Sequence, residues 1–239
     1  MKHVVVTGAS SGIGAALARA FAAEGAKLTL IARREDLLQK LAAELDVETN
    51  IVACDLSKLD TVTDWIDAAE AKLGPIDVLV NNAGIQPVSP TQEADLEFCE
   101  GTLTVNLTAP MRLIRTLLPR MLSRGEGGIV NVSSVAALAP TPGMFYYNAA
   151  KAGIAAASEA LAGELRRTNI RVVTVYPGII AETDLAQRSL QKYEHTKVVA
   201  MQPIGTAAGV AARTIDALKK RRRRVIYPTV TVPARPFPA

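Results

Sequence analysis

Cysteine, histidine and aromatic residues are scarce in this chain of 239 residues: two cysteines, two histidines, one tryptophan, four phenylalanines and five tyrosines. So few cysteines exclude a disulfide scaffold and suit a reducing compartment. Cys54 ends an apolar run, where a buried thiol is expected. His3 and His195 have no partners at ligand spacing, so no metal site is expected. No uncharged apolar run approaches the roughly 18 residues of a membrane span. Patterned sequence starts at Lys2, leaving no room for a charged segment, an apolar segment and a cleavage site, and the expected location is the cytoplasm.

A general excess of charge is also lacking. The net charge is +4, but six of the 27 basic residues fall in 219–224, and without them the 23 acidic residues are in the majority. The basic balance is therefore local, and no nucleic-acid partner is expected. The run itself reads as a solvated helix end, with docking to an anionic membrane surface as the minority reading. Apolar residues at 49% and charged residues at 21% suit a globular chain, with length for one large domain or two small ones.

What the sequence does have is alternation. Short β-rich runs at 3–6, 28–31, 51–54, 78–80, 129–132 and 172–175 are separated by helical stretches at 13–24, 37–45, 61–72, 103–123 and 148–166. Continuous apolar strands between helices predict a parallel sheet covered on both faces. The expected fold class is α/β: one doubly wound domain over 1–227, with a sheet of about seven strands of the dinucleotide-binding type. Residues 178–203 break the rhythm and are expected to form a substrate lid, and 228–239 a Pro-rich tail.

After the first run comes Thr7-Gly8-Ala9-Ser10-Ser11-Gly12-Ile13-Gly14, which leads straight into a helix. Glycines there let the backbone approach a pyrophosphate, whose charge the helix N-terminus stabilises. The second run ends in Ala32-Arg33-Arg34, with no carboxylate to hold a ribose 2′-hydroxyl. Arg33, with Arg34 and Ser10 as alternates, is expected to attract a 2′-phosphate, favouring NADP(H) over NAD(H). The other reading is a pair of solvated cations before a helix.

Together with Asn81-Asn82-Ala83-Gly84, Asn131-Val132-Ser133-Ser134, Tyr147-Asn148-Ala149-Ala150-Lys151 and Pro177-Gly178, this turn resembles the short-chain dehydrogenase/reductase family over roughly residues 2 to 185. The Tyr147–Lys151 pair can also be read directly. The two side chains share one helix face, and a nearby ammonium is expected to draw the phenol's pKa toward neutral, making it an acid/base for a carbonyl or alcohol. The resemblance implies that Ser134 holds the substrate oxygen and that Asn106 serves a proton relay through water beside Lys151. An Asn at a helix kink would look the same.

The resemblance further implies a Rossmann-like fold and a set of cofactor contacts. Lys151 meets the nicotinamide ribose, Asp55 and Leu56 the adenine, and Asn82, Ala83 and Gly84 the adenosine side. Pro177, Gly178, Ile180 and Thr183 follow the sixth strand. The family often has Thr five residues after that proline; here Glu182 stands there and Thr183 follows. Segments 85–90 and 136–145, including Ala136 and Met144, are expected to wall an apolar substrate pocket beside Ser134 and Tyr147. The expected activity is an NADP(H)-dependent carbonyl reductase or alcohol dehydrogenase, working as a homodimer or homotetramer. The rival is a catalytically silent nucleotide-binding protein of the same fold, which would be expected to lack Tyr, Lys or Ser.

Overall fold

The apolar runs become strands β1 (His3–Thr7), β2 (Lys27–Ala32), β3 (Thr49–Ala53), β4 (Val78–Asn81), β5 (Glu126–Val132) and β6 (Asn169–Pro177). Beyond them lie a two-residue pair, β7 (Ile179–Ile180) with β8 (Ile204–Gly205), and a last strand, β9 (Arg224–Tyr227). The helices are α1 (Gly12–Ala23), α2 (Glu35–Ala43), α3 (Ile66–Leu73), α4 (Leu96–Leu103), α5 (Ala109–Arg124), α6 (Phe145–Glu164) and α7 (Ala207–Lys219). The computed structural model describes residues 2–183, 185–187 and 203–229. The expected lid falls largely outside the described residues, as does the tail beyond Thr229.

Seven strands hydrogen-bond in the order β3-β2-β1-β4-β5-β6-β9, every pair parallel. Side chains alternate across a strand, and both faces are covered. Val4, Val6, Leu28, Leu30, Val130 and Val173 pack with Leu17 and Phe21 of α1 and Val210 and Ile215 of α7. Val5, Ile31, Leu79, Ile129 and Val172 pack on the other face with Leu113 and Leu117 of α5 and Ile66 of α3. Each fully buried Leu, Ile or Phe contributes about 1.5–3 kcal/mol. The strand order reverses its winding between β1 and β4, and a crevice opens there at the carboxyl ends of the strands.

Three local differences from the sequence expectation have physical causes. The helix expected over 103–123 is two helices joined by a π-helical turn, Thr104–Thr108, and it starts earlier, where Asp95 caps α4 by accepting from the Phe98 N–H at 2.8 Å. Of 61–72, only Ile66 onward is α-helix. Helix α7 and strand β9 were not among the expected elements, although buried residues of α7, Ala207, Val210, Ala211, Thr214, Ile215 and Leu218, recur at helical spacing; three of these are alanine or threonine, weak apolar signals.

His3 is fully buried, with Nδ1 2.7 Å from the Gly74 carbonyl and Nε2 2.8 Å from the Thr29 hydroxyl. Nδ1 therefore carries the proton, and burial holds the ring's pKa below its ordinary value. It is a core residue. Four of the six cations in 219–224 pair within the chain, with three carboxylates: Lys219 with Glu24 at 2.6 Å, Lys220 and Arg222 with Asp216 at 2.7 and 3.6 Å, and Arg224 with Glu159. This favours the helix-end reading over membrane docking. No helix among the described residues is long and apolar enough to cross a membrane, and no group of three or more His, Cys, Asp or Glu side chains among them could hold a metal ion.

Candidate active site

At the switch point β1 runs out into the glycine turn. Gly8 has φ +66°, and a Cβ on it would lie 2.7 Å from the Ala83 Cα, so the turn and the Asn82-Ala83-Gly84 segment touch backbone to backbone. A Cβ on Gly14 would lie 2.1 Å from the Gly8 carbonyl oxygen, so only glycine fits there. Thr7 knits the same junction. Its hydroxyl donates to the Val80 carbonyl at 3.2 Å and accepts from the Asn82 and Ala83 N–H groups at 3.0 and 3.1 Å, while Asn82 Nδ2 donates to the Thr7 carbonyl at 2.9 Å. Ser11 begins α1 without a side-chain capping bond. The first N–H groups of that helix thus remain available to an anion, and the turn fits a pyrophosphate.

At the end of β2 the two arginines divide. Arg34 Nη2 donates to the Ser10 and Ser11 hydroxyls, each at 3.1 Å, whereas Arg33 faces Asp55. Burial pushes the Asp55 carboxyl up, but the Ser57 N–H at 3.0 Å, the Ser57 hydroxyl and the Arg33 charge together hold it below its ordinary value. Arg34, expected only as an alternate, is the cation bonded to the turn. Asp55, Leu56 and the half-buried Cys54 line the same end of the crevice.

The carboxyl end of β5 and the first turns of α6 bring the acid/base candidates together. Tyr147 and Lys151 are buried on the inward face of α6, with the Lys151 Nζ 5.8 Å from the Tyr147 ring centroid. The Ser134 hydroxyl lies beside the phenol, close enough to oppose the rise in its pKa, and it accepts from the Ala136 N–H at 3.1 Å, capping the short turn Val135–Ala137. The choice of Ser134 over Ser133 fits the geometry: the Ser133 hydroxyl is spent on the Lys151 carbonyl at 2.7 Å.

The electrostatics differ from the expectation that Lys151 would draw the phenol toward neutral pH. Burial pushes the Tyr147 pKa up, opposed by the neighbouring Ser134 hydroxyl, and burial pushes Lys151 down to about 8. Both groups are buried, and desolvation outweighs their pairing, while the ammonium donates to the Val132 carbonyl at 2.8 Å.

Asn106 sits in the π-helical turn, a distortion frequent at functional positions. Its amide is held by the Ile85 backbone: Oδ1 accepts from the Ile85 N–H at 2.9 Å and Nδ2 donates to the Ile85 carbonyl at 2.8 Å. The distorted helix is the one the kink reading expects, with both amide atoms engaged by the Ile85 backbone. A Cβ placed on Gly84 would be 3.2 Å from Asn106 Oδ1 and 3.4 Å from Lys151 Nζ.

At the end of β6 and beyond it, Pro177, Gly178, Ile180 and Thr183 line the crevice. The Thr183 methyl stands 3.0 Å from where a Gly12 Cβ would be, and its hydroxyl donates to the Ile180 carbonyl at 2.8 Å. Glu182, the departure from the family pattern, is engaged elsewhere, since its Oε2 accepts from the Ala207 N–H at 2.6 Å and so places a carboxylate at the N-terminus of α7.

The crevice has a volume of about 1400 Å³, and Ile13, Ala136 and Met144 line it with the residues above. This exceeds the roughly 300–1000 Å³ of a typical small-ligand pocket and leaves room for a dinucleotide and a second molecule. The sequence reading missed one wall, contributed by α4 and the π turn through Phe98, Gly101 and Val105, with Asp95 and Glu97 at its edge. Phe98, one of only four phenylalanines in the chain, was the available signal. Gln86 places its amide 3.1 Å from the Met144 sulfur, a polar group in an otherwise apolar wall.

Residues 2–194 match the sequence profile of the short chain dehydrogenases. The chain belongs to the short-chain dehydrogenase family. It is 36% identical over 185 residues to an uncharacterized oxidoreductase of Staphylococcus saprophyticus, covering 75% of this chain and 78% of that protein. It is 35% identical over 237 residues to a fatty acyl-CoA reductase of Mycobacterium tuberculosis, covering 97% of this chain and 78% of that protein. A short-chain dehydrogenase from Sphingobium yanoikuyae, solved in complex with NADPH, superposes with a TM-score of 0.84 at 31% identity over 95% of this chain and 88% of that one. This short-chain dehydrogenase is an oxidoreductase with a single Rossmann-like domain.

Proposed function

We propose that this short-chain dehydrogenase interconverts a carbonyl and a secondary or primary alcohol with NADP(H), using Tyr147 as the acid/base. The observation that carries the reading is the convergence of Tyr147, Ser134 and Lys151 in one crevice with an anion-accepting glycine turn. Bound along that turn, the nicotinamide cofactor supplies or accepts the hydride. The Ser134 hydroxyl holds the substrate oxygen, and the Tyr147 phenol, protonated at neutral pH because burial raises its pKa, donates the proton during reduction. Lys151 keeps a positive charge beside the developing oxyanion, and Asn106 marks the way by which the proton is replaced. Asp55, Leu56, Asn82, Ala83 and Gly84 line the adenosine side, and Ile180 and Thr183 flank the nicotinamide. Residues 1–227 act as one unit.

The apolar wall of Ala136, Met144 and Phe98 supports an uncharged hydrophobic ketone, aldehyde or alcohol as substrate, since a carboxylate without a partner is costly to bury. The fatty acyl-CoA reductase among the relatives is in line with an apolar chain. We also propose a homodimer or homotetramer through α6 and the α4–α5 helices. Of the small residues on α6, Ala152, Ala156 and Ala160 are exposed, whereas Ala155 is buried and a Gly153 Cβ would meet Leu107 at 3.1 Å. The outward alanine stripe supports such an interface.

Two experiments test this reading. Arg34→Asp and Arg33→Asp replace attraction for a 2′-phosphate by repulsion. A cation about 4 Å from a phosphate is worth roughly 1 kcal/mol in water and about 4 at an effective dielectric near 20. The ratio of kcat/KM for NADPH to that for NADH should therefore fall tens-fold or more, with the larger fall at Arg34. An unchanged ratio in both variants contradicts the NADP(H) assignment.

The second is the pH profile of ketone reduction. Lys151 loses its charge as pH rises past about 8, so kcat should be flat through neutral pH and decline above that point. A reduction rate that climbs through the same range contradicts the roles given to Tyr147 and Lys151.

A further inference from the structure

Strand β5 and helix α6 are joined by polar bonds at three consecutive residues, 131 to 133. The Asn131 amide Nδ2 donates to the Ser158 hydroxyl at 2.8 Å, the Val132 carbonyl accepts from Lys151 Nζ at 2.8 Å, and the Ser133 hydroxyl donates to the Lys151 carbonyl at 2.7 Å. The direction of the first bond is fixed. Ser158 donates its own hydrogen to the Ile154 carbonyl at 2.6 Å, so its oxygen must accept from Asn131, and Asn131 Oδ1 then accepts from Asn81 Nδ2 of β4 at 2.8 Å. A buried chain thus runs from β4 through β5 to a point about two turns beyond Lys151, at 3.6 residues per turn.

The inward face of α6 explains what this chain could do. It consists of Tyr147, Ala150, Lys151, Ile154, Ala155 and Ser158. Tyr147, Lys151 and Ile154 pack into the sheet, the two alanines beside them grip it weakly, and the N–H···O and O–H···O bonds hold their heavy atoms within about 2.7–3.2 Å and so set the register more finely. Asn131 and Ser133 lie on the segment that leads to Ser134, so any slide of α6 moves Tyr147 relative to the serine.

We infer that Asn131 and Ser158 are positioning residues: their buried bond fixes the axial register of α6 on β5 and thereby the placement of Tyr147 against Ser134. This rests on the acid/base reading of Tyr147. Neither residue touches the substrate; each acts through the helix or strand that carries the reacting groups.

The test compares Ser158→Ala and Ser158→Thr with the wild type in kcat for ketone reduction, KM, NADPH Kd and Tm. Displacements near 1 Å in an active site can cost up to about a hundredfold, so Ser158→Ala should lose about tenfold or more in kcat while NADPH Kd holds. Ser158→Thr keeps the hydroxyl and should keep kcat even where its added methyl lowers Tm. Adding Asn131→Ala to Ser158→Ala should cost little more, because both remove one link. The inference is overturned if Ser158→Ala keeps wild-type kcat, if kcat merely follows Tm across the Ala and Thr variants, or if Ser158→Ala fails to fold. Tyr147→Phe in parallel separates the two claims: activity retained there defeats the acid/base reading, whereas an inactive Tyr147→Phe with a fully active Ser158→Ala defeats only the clamp.

Discussion

Tyr147→Phe is expected to lower kcat for ketone reduction by about 10²–10⁴-fold, the usual share of a positioned acid/base, while NADPH still binds. The ring is buried against Ala136 and Met144, and phenylalanine keeps that packing. Only the hydroxyl beside Ser134 is lost. The Tm should therefore stay near that of the wild type, and fluorescence titration should give a similar NADPH Kd. Retention of most activity would contradict the proton-donor role. A parallel loss of NADPH binding would show that the phenol supports the crevice rather than the chemistry.

An effect of similar size on a different observable is expected from Gly14→Ala. The new Cβ would lie 2.1 Å from the Gly8 carbonyl oxygen and 2.5 Å from Asn82 Nδ2, with backbone on one side that cannot yield without opening the turn. Overpacking of this kind costs about 1–3 kcal/mol or more, and the turn that gives way is the one proposed to cradle the pyrophosphate. The variant should have a lower Tm and should lose the thermal shift that saturating NADPH gives the wild type, about 2.7 kcal/mol of stabilisation at a hundredfold excess over Kd. Gly163→Ala is the control. No atom lies within 4 Å of its Cβ position, and alanine in a helix should be neutral or slightly stabilising. A full NADPH shift in Gly14→Ala would contradict the placement of the cofactor on this turn.

Most of the sheet was legible because its central strands are buried on both faces, although the edge strand β3 is only half-buried. His3 to Thr7 are all buried, so the apolar run is continuous and easily found. β9 was not, since it is a short edge strand whose Arg224 is exposed and spent on Glu159. The acid/base candidates were legible because their spacing along one helix is a local property. The electrostatics were not: sequence places Lys151 near Tyr147, but only the fold shows that its ammonium turns to the Val132 carbonyl and that burial dominates both groups. Arg33 and Arg34 are adjacent in sequence, and only the turn of the backbone out of β2 determines which reaches Ser10 and Ser11. The α4 wall of the pocket escaped notice because the π turn at Asn106 interrupts the helical period just where the two helices join. Glu182 breaks the family pattern without spoiling the crevice, because it caps α7 instead.

The claim that joins these observations is turnover of an uncharged carbonyl with NADPH through Tyr147. The most direct measurement is single-turnover loss of NADPH absorbance on mixing the NADPH-saturated enzyme with a hydrophobic aromatic ketone at neutral pH, repeated with the carboxylated analogue of that ketone. The expected result is rapid hydride transfer to the neutral ketone, and far slower transfer to its carboxylated analogue. If NADPH binds tightly and neither compound nor any member of a ketone and aldehyde panel oxidises it, the intact Tyr147, Ser134 and Lys151 do not perform this chemistry, and the catalytic account is contradicted.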